Sequence, residues 1–157
     1  MSVLFCFLWY DIGMEKETKN RIAIVILSFV FLTIALVLEI IPNSLGMVFA
    51  VQNELHEIEN VVRYCSYFDV FPLAYALYTP FLSSLITVAS IVLFIIRIFK
   101  PYKLRGVCVL LPFIASILSS FHLFTFGSAA VTFSAILITS LLFTVFVFNI
   151  LDFFLGK

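Results

Sequence analysis

Two ionisable side chains fall inside long apolar runs of this 157-residue chain, and their chemistry sets the first question. Glu39 stands seventeen residues after Ile22, where one run begins, and His122 stands sixteen after Gly106, where another begins. On helices rising about 1.5 Å per residue, these positions lie about 26 Å and about 24 Å along. If both helices run the same way, the carboxylate and the imidazole reach a similar depth near the outer boundary. A Glu39–His122 hydrogen bond or ion pair is then geometrically allowed. A charge at mid-bilayer costs about 2.5–3.5 kcal/mol and less near the interface, so such groups pair with one another or mark an ion path. An ion path needs polar groups at several depths, and elsewhere within the runs polarity is almost confined to hydroxyls. A structural pair is the expectation.

The hydroxyls are Ser83, Ser84, Thr87 and Ser90, then Ser116, Ser119 and Ser120, then Thr132, Ser134, Thr139, Ser140 and Thr144. Small-xxx-small pairs such as Ser83/Thr87, Ala115/Ser119 and Ser116/Ser120 let helix backbones approach closely. An isolated hydroxyl can also bond a carbonyl of its own helix, so core packing is expected of them. Glu54, His56, Glu57 and Glu59 have metal-ligand chemistry, but the paired Glu-x-x-His pattern of diiron bundles does not occur. They read as a solvated acidic face. No phosphate-cradling glycine loop, zinc motif or Ser–His–Asp set can be assembled. The expectation is a non-enzyme with no catalytic residue, cofactor or metal site, and no evident small-molecule substrate. A nucleic-acid partner has no basic surface to meet.

The elements that must position these residues follow from composition. The chain is 64% apolar and only 11% charged, against about 25% charged in soluble domains. About twenty mostly apolar residues cross a bilayer as a helix. Four runs qualify: 22–41, 73–96, 106–126 and 129–151. The expected fold is an all-α integral membrane protein, a single domain forming an antiparallel four-transmembrane-helix bundle. Residues 1–21 form an interfacial and cytoplasmic segment, retained because Met1–Tyr10 lacks a basic start and a cleavage site. Pro42 ends or bends the first helix, and Leu45–Val51 can continue it. In the outer loop, 52–72, Leu55, Ile58, Val62 and Cys65 recur at helical spacing, which predicts an amphipathic helix. Tyr64, Tyr67, Phe68 and Phe71 would form an aromatic belt, Pro80 would kink the second span, and 152–157 is a short tail.

Orientation rests on Arg97-Ile-Phe-Lys-Pro-Tyr-Lys-Leu-Arg105, a basic turn between two spans. Lys and Arg near helix ends stay cytoplasmic. With both termini cytoplasmic, Lys16, Lys19, Arg21, Arg97, Lys100, Lys103, Arg105 and Lys157 lie inside and only Arg63 outside. Arg97, Lys100, Lys103 and Arg105 are the candidate contacts for anionic lipid headgroups. Asp152 should meet this turn as an orienting partner. Spans of 20 to 24 residues suit the endoplasmic reticulum and the plasma membrane alike. Cys6, Cys65 and Cys108 are odd in number and act as small apolar fillers, with S-acylation of Cys6 or Cys108 as the alternative.

Twenty Phe residues exceed what four packed helices need. Phe5, Phe7 and Trp9 at the start, with Phe143, Phe146 and Phe148 in the last helix, are the candidate partner or lipid contacts. By exclusion, the expected function is an accessory subunit anchoring or stabilising a larger membrane protein complex. The alternative is a lipid-handling helper that perturbs the bilayer or guides lipid to or from a transfer protein. A third reading is a small channel or proton-coupled carrier using Glu39 and His122. The layout of four spans with a larger first outer loop resembles claudin-like and MARVEL tetraspan proteins. The claudin-like Trp and paired-Cys signature is absent, as is the Cys-Cys-Gly of tetraspanins, so the likeness implies no residue roles.

Overall fold

The computed structural model describes residues 16–52, 58–69, 78–99, 104–126 and 131–155. Four helices and one β-hairpin form in the order α1 (Lys16–Ile40), β1 (Leu45–Gln52), β2 (Ile58–Cys65), α2 (Thr79–Phe99), α3 (Arg105–Phe126) and α4 (Phe133–Leu155). Among the described residues three helices are long and apolar enough to cross a membrane, at Asn20–Ile40, Thr79–Ile98 and Phe133–Phe154. In α3 the apolar stretch Arg105–Phe121 is shorter.

Each helix buries one seam with alternating steps of three and four. In α1 the seam is Val25, Ser28, Leu32, Ala35 and Glu39; in α4 it is Ala135, Ile138, Leu142, Val145, Asn149 and Asp152. Ser83, Thr87, Ser90, Phe94 and Arg97 repeat the pattern in α2, and Cys108, Ala115 and Ser119 carry it in α3. A seam of this period is the contact stripe of antiparallel bundles. Helix α1 packs against α2 and α4, and α3 packs against the same two, so α1 and α3 sit diagonally opposite. The outward faces carry large apolar groups such as Val37, Val92, Leu110 and Phe121, each more than half exposed. Small and polar inside with bulky and apolar outside is an arrangement for a lipid surround, not for water.

Between α1 and α2 the expected amphipathic helix is replaced by a two-stranded antiparallel sheet, with Leu45 opposite Cys65 and Gln52 opposite Ile58. Leu45–Val51 does not prolong α1. Pro42 cannot extend the helix, and Asn43 takes a left-handed φ of 69° that turns the chain away. Val48 and Val51 on one strand, and Val61, Val62 and Tyr64 on the other, are residues that suit a pleated ladder. Leu55, in the expected helical pattern, lies outside the described residues. The hairpin base is in the core, with Leu45, Met47 and Cys65 buried, while Ile58 near the tip is 77% exposed.

The role of one proline and several boundaries also differ from expectation. Pro80 is the second residue of α2, where a missing N–H costs nothing, so it starts that helix instead of kinking it. Pro112 lies inside α3. Arg97 and Arg105 belong to α2 and α3, which narrows the basic turn, and Leu104 enters α3 with a φ of 63°. Asp152 belongs to α4, not to a tail. Thr132 caps α4, its Oγ1 accepting the Ala135 N–H at 3.1 Å.

Candidate functional site

Two buried polar layers cross the bundle. At one end Arg97, in the last turn of α2, has a side chain only 1% exposed, and so has Asp152 on α4. The Arg97 Nη2 donates to Asp152 Oδ2, and Nη1 donates to Asn149 Oδ1 at 2.7 Å. Arg21 of α1 reaches the other Asp152 oxygen, Nε to Oδ1, at 3.2 Å. Asn149 Nδ2 donates to Val145 O at 2.7 Å and meets Ser28 Oγ at 3.5 Å. The guanidinium also lies 5.8 Å from the Phe94 ring centre. One carboxylate thus ties α1, α2 and α4 together through two guanidiniums. Such charge-assisted bonds are strong, and the Arg fork fixes their direction.

The second layer lies toward the hairpin. Glu39 is fully buried, and its Oε1 accepts from Thr87 Oγ1 of α2 at 3.1 Å. Its Oε2 has no hydrogen-bond partner among the described residues. Tyr67, just past β2, is also fully buried; its hydroxyl meets Ser119 Oγ at 3.1 Å, and Ser119 meets Thr139 Oγ1 at 2.9 Å. This chain of hydroxyls joins the hairpin to α3 and α4. Burial pushes the Tyr67 phenol well above its ordinary range. Ser83 Oγ donates to Ala115 O at 3.0 Å, stitching α2 to α3.

The hairpin is latched onto this layer. The Tyr67 amide donates to Glu39 O at 3.0 Å, satisfying a carbonyl that the end of α1 leaves open. Thr132 Oγ1 donates to Ser44 O, so the residue that caps α4 also holds the corner before β1. Ser44 Oγ donates to Cys65 O at 3.5 Å, and the Cys65 thiol points to Leu45 O at 3.7 Å. Burial first, and the nearby Asp69 carboxylate second, push the Cys65 thiol up to about 11. Asp69 Oδ2 in turn accepts the Ser66 N–H at 2.6 Å.

Set against the sequence expectations, Glu39 is buried, and its partner among the described residues is Thr87. The His122 side chain lies outside the described residues; its backbone is on α3, diagonal to α1. Arg97, expected to contact headgroups, is instead enclosed with Asp152 and Asn149, because a buried carboxylate holds it. Asp152 does meet the basic turn's first residue. Lys100 and Lys103 lie outside the described residues, as do Phe5, Phe7, Trp9, Glu54, His56 and Glu57; Arg105 opens α3. Cys108 is 1% exposed, so its thiol is not presented for acylation; Cys6 lies outside the described residues. Phe143 is 51% exposed, whereas Phe146 stacks on Phe113 of α3 at 4.7 Å and Phe148 on Phe31 of α1 at 5.9 Å.

Tyr67, placed in an aromatic belt by sequence, is a core residue, and Asn149 carried no sequence signal beyond being the one amide in the last run. Many hydroxyls do bond their own helix, including Ser90 to Ile86 O and Ser140 to Ile136 O, both at 2.8 Å. Comparison with known proteins finds no matching family model, no similar curated protein and no similar solved structure.

Proposed function

We propose that this chain is a non-enzymatic accessory subunit whose four helices cross the bilayer and which anchors or stabilises a larger membrane assembly. The carrying observation is how its polar groups are used. Arg21, Arg97, Asn149, Asp152, Thr87, Ser83, Ser119 and Thr139 are engaged helix to helix. The outward faces are large, apolar and aromatic: Phe133 is 79% exposed and Phe154 66%. A body whose polar groups mostly face one another, with an aromatic exterior, suits side-by-side packing with other membrane helices. The fourth span is α3, which has 22 residues and lies between two helices of spanning length. Purification from native membranes in a gentle detergent tests the reading. A stoichiometric larger complex is expected, weakened by Phe143→Ala together with Phe154→Ala; a monodisperse protein without partners overturns it.

One observation favours lipid handling as a second reading. A groove of about 290 Å³ between α3 and α4 is lined by Gly106, Val109, Leu110, Phe113, Phe146, Ile150 and Phe153. Its wall is apolar throughout, a fit for an acyl chain. A β-carbon at Gly106 would meet nothing within 4 Å, so there is room at that position for Gly106→Leu, which should narrow the groove. Slower lipid movement between vesicles with that variant supports this reading, and unchanged movement removes it.

A further inference from the structure

The hairpin is a sheet of only two strands, held at its base by the helices while its tip stands exposed. Its outer edges present backbone donors and acceptors with no third strand among the described residues, the arrangement that invites a further strand. The two edges are not equivalent. Strand β1 bears no charge, and Leu45, Gly46 and Met47 are buried at its base. Strand β2, Ile58-Glu-Asn-Val-Val-Arg-Tyr-Cys65, is exposed through Val61, again at Arg63 and at Tyr64.

We infer that β2 is a homodimer seam, pairing antiparallel with β2 of a second copy about a two-fold axis at Val61. Antiparallel partners must face each other residue to residue, so the axis can pass only through a residue, not between two. Placing it at Val61 sets Val61 opposite Val61, Glu59 opposite Arg63 twice, and Ile58 opposite Tyr64 twice. Ile58 at 77% and Tyr64 at 57% exposure are the most exposed large apolar side chains of β2. Opposite charges and apolar pairs directly across an antiparallel ladder are each stabilising. Shifting the axis to Asn60 sets Glu59 against Val61, and shifting it to Val62 sets Arg63 against Val61; both lose the charge match. Of these three registers only the Val61 one matches both the charged pair and the large apolar pair, with Asn60 facing Val62 between them. A pairing of this kind is isologous, the same strand meeting itself about one two-fold axis. The inference does not depend on which assembly the subunit serves.

Charge reversal and cross-linking of the full-length protein in nanodiscs test it. Glu59→Arg alone and Arg63→Glu alone should each convert dimer to monomer by light scattering. The double variant, and an equimolar mixture of the two single variants, should restore the dimer, because each recreates opposite charges across the seam. Val61→Cys should form a disulfide-linked dimer under mild oxidation, since directly opposed strand residues lie within disulfide reach. Ala50→Cys, on β1 and paired with Asn60, should not. The idea is overturned if the single reversals leave the dimer intact, if the mixture fails to restore it, or if Val61→Cys captures a different protein while the chain itself stays monomeric.

Discussion

Asp152 faces two guanidiniums, and removing it should be the most damaging single change among the described residues. Asp152→Ala leaves Arg97 enclosed without a counter-charge, and breaking a buried pair from one side costs about 3–5 kcal/mol. Denaturation in detergent should show that loss, and Arg97→Leu with Asp152→Leu should lose markedly less than Asp152→Leu alone. A smaller loss from the single change than from the double would contradict the geometry. Cys65 offers a pH test. Its thiol titrates near 11 in the folded protein, against 9.0 for an exposed one. The folded state therefore favours the protonated thiol, and that contribution is complete below about pH 9 and lost as pH rises through 11. Thiol alkylation of Cys65 should stay slow at pH 8 and accelerate steeply above pH 10, and fast labelling at pH 8 would contradict its burial.

The elements turn at a few identifiable residues. Asn43 ends α1 in a left-handed conformation that a β-branched side chain resists. Asn43→Val should cost about 1–2 kcal/mol, and Asn43→Gly should be tolerated, both read from thermal unfolding. Thr132→Ala removes the cap of α4 and the bond to Ser44 O, a loss of about 1 kcal/mol for the cap alone. Hydrogen exchange should then rise in the first turn of α4 and in the hairpin base together; a rise confined to α4 would deny the latch. The hairpin shows why this part was not legible in sequence. Ile58, Val62 and Cys65 fall at helical spacing, whereas in a strand Cys65 lies on the face opposite the other two, so the local pattern by itself favours a helix. The choice was made by the partner strand Leu45–Gln52, which supplies a ladder that no local pattern announces.

For the whole molecule, the proposed threading places both ends on the cytoplasmic side, and tags at either terminus should be shielded from protease outside sealed cells or vesicles. Exposure of either tag would sink the threading and, with it, the depth assigned to Glu39. The sequence by itself determined that the chain is mostly long apolar helices, of a length and composition that suit a membrane, and roughly where they begin and end. Each of those depends on a local sum, of apolar residues over a run or of charges at its flanks. The meeting of Asp152 with Arg97 was also within reach, because both sit at the same end of their runs when the helices alternate in direction. Only the tertiary structure decided that Glu39 bonds Thr87, that Tyr67 is a core residue, and that the outer segment is a sheet. Those outcomes depend on which helices are neighbours and which are diagonal. That order is set by packing the narrow polar seams together and turning the bulky faces out, a constraint spread over the whole chain and visible in no single stretch of it.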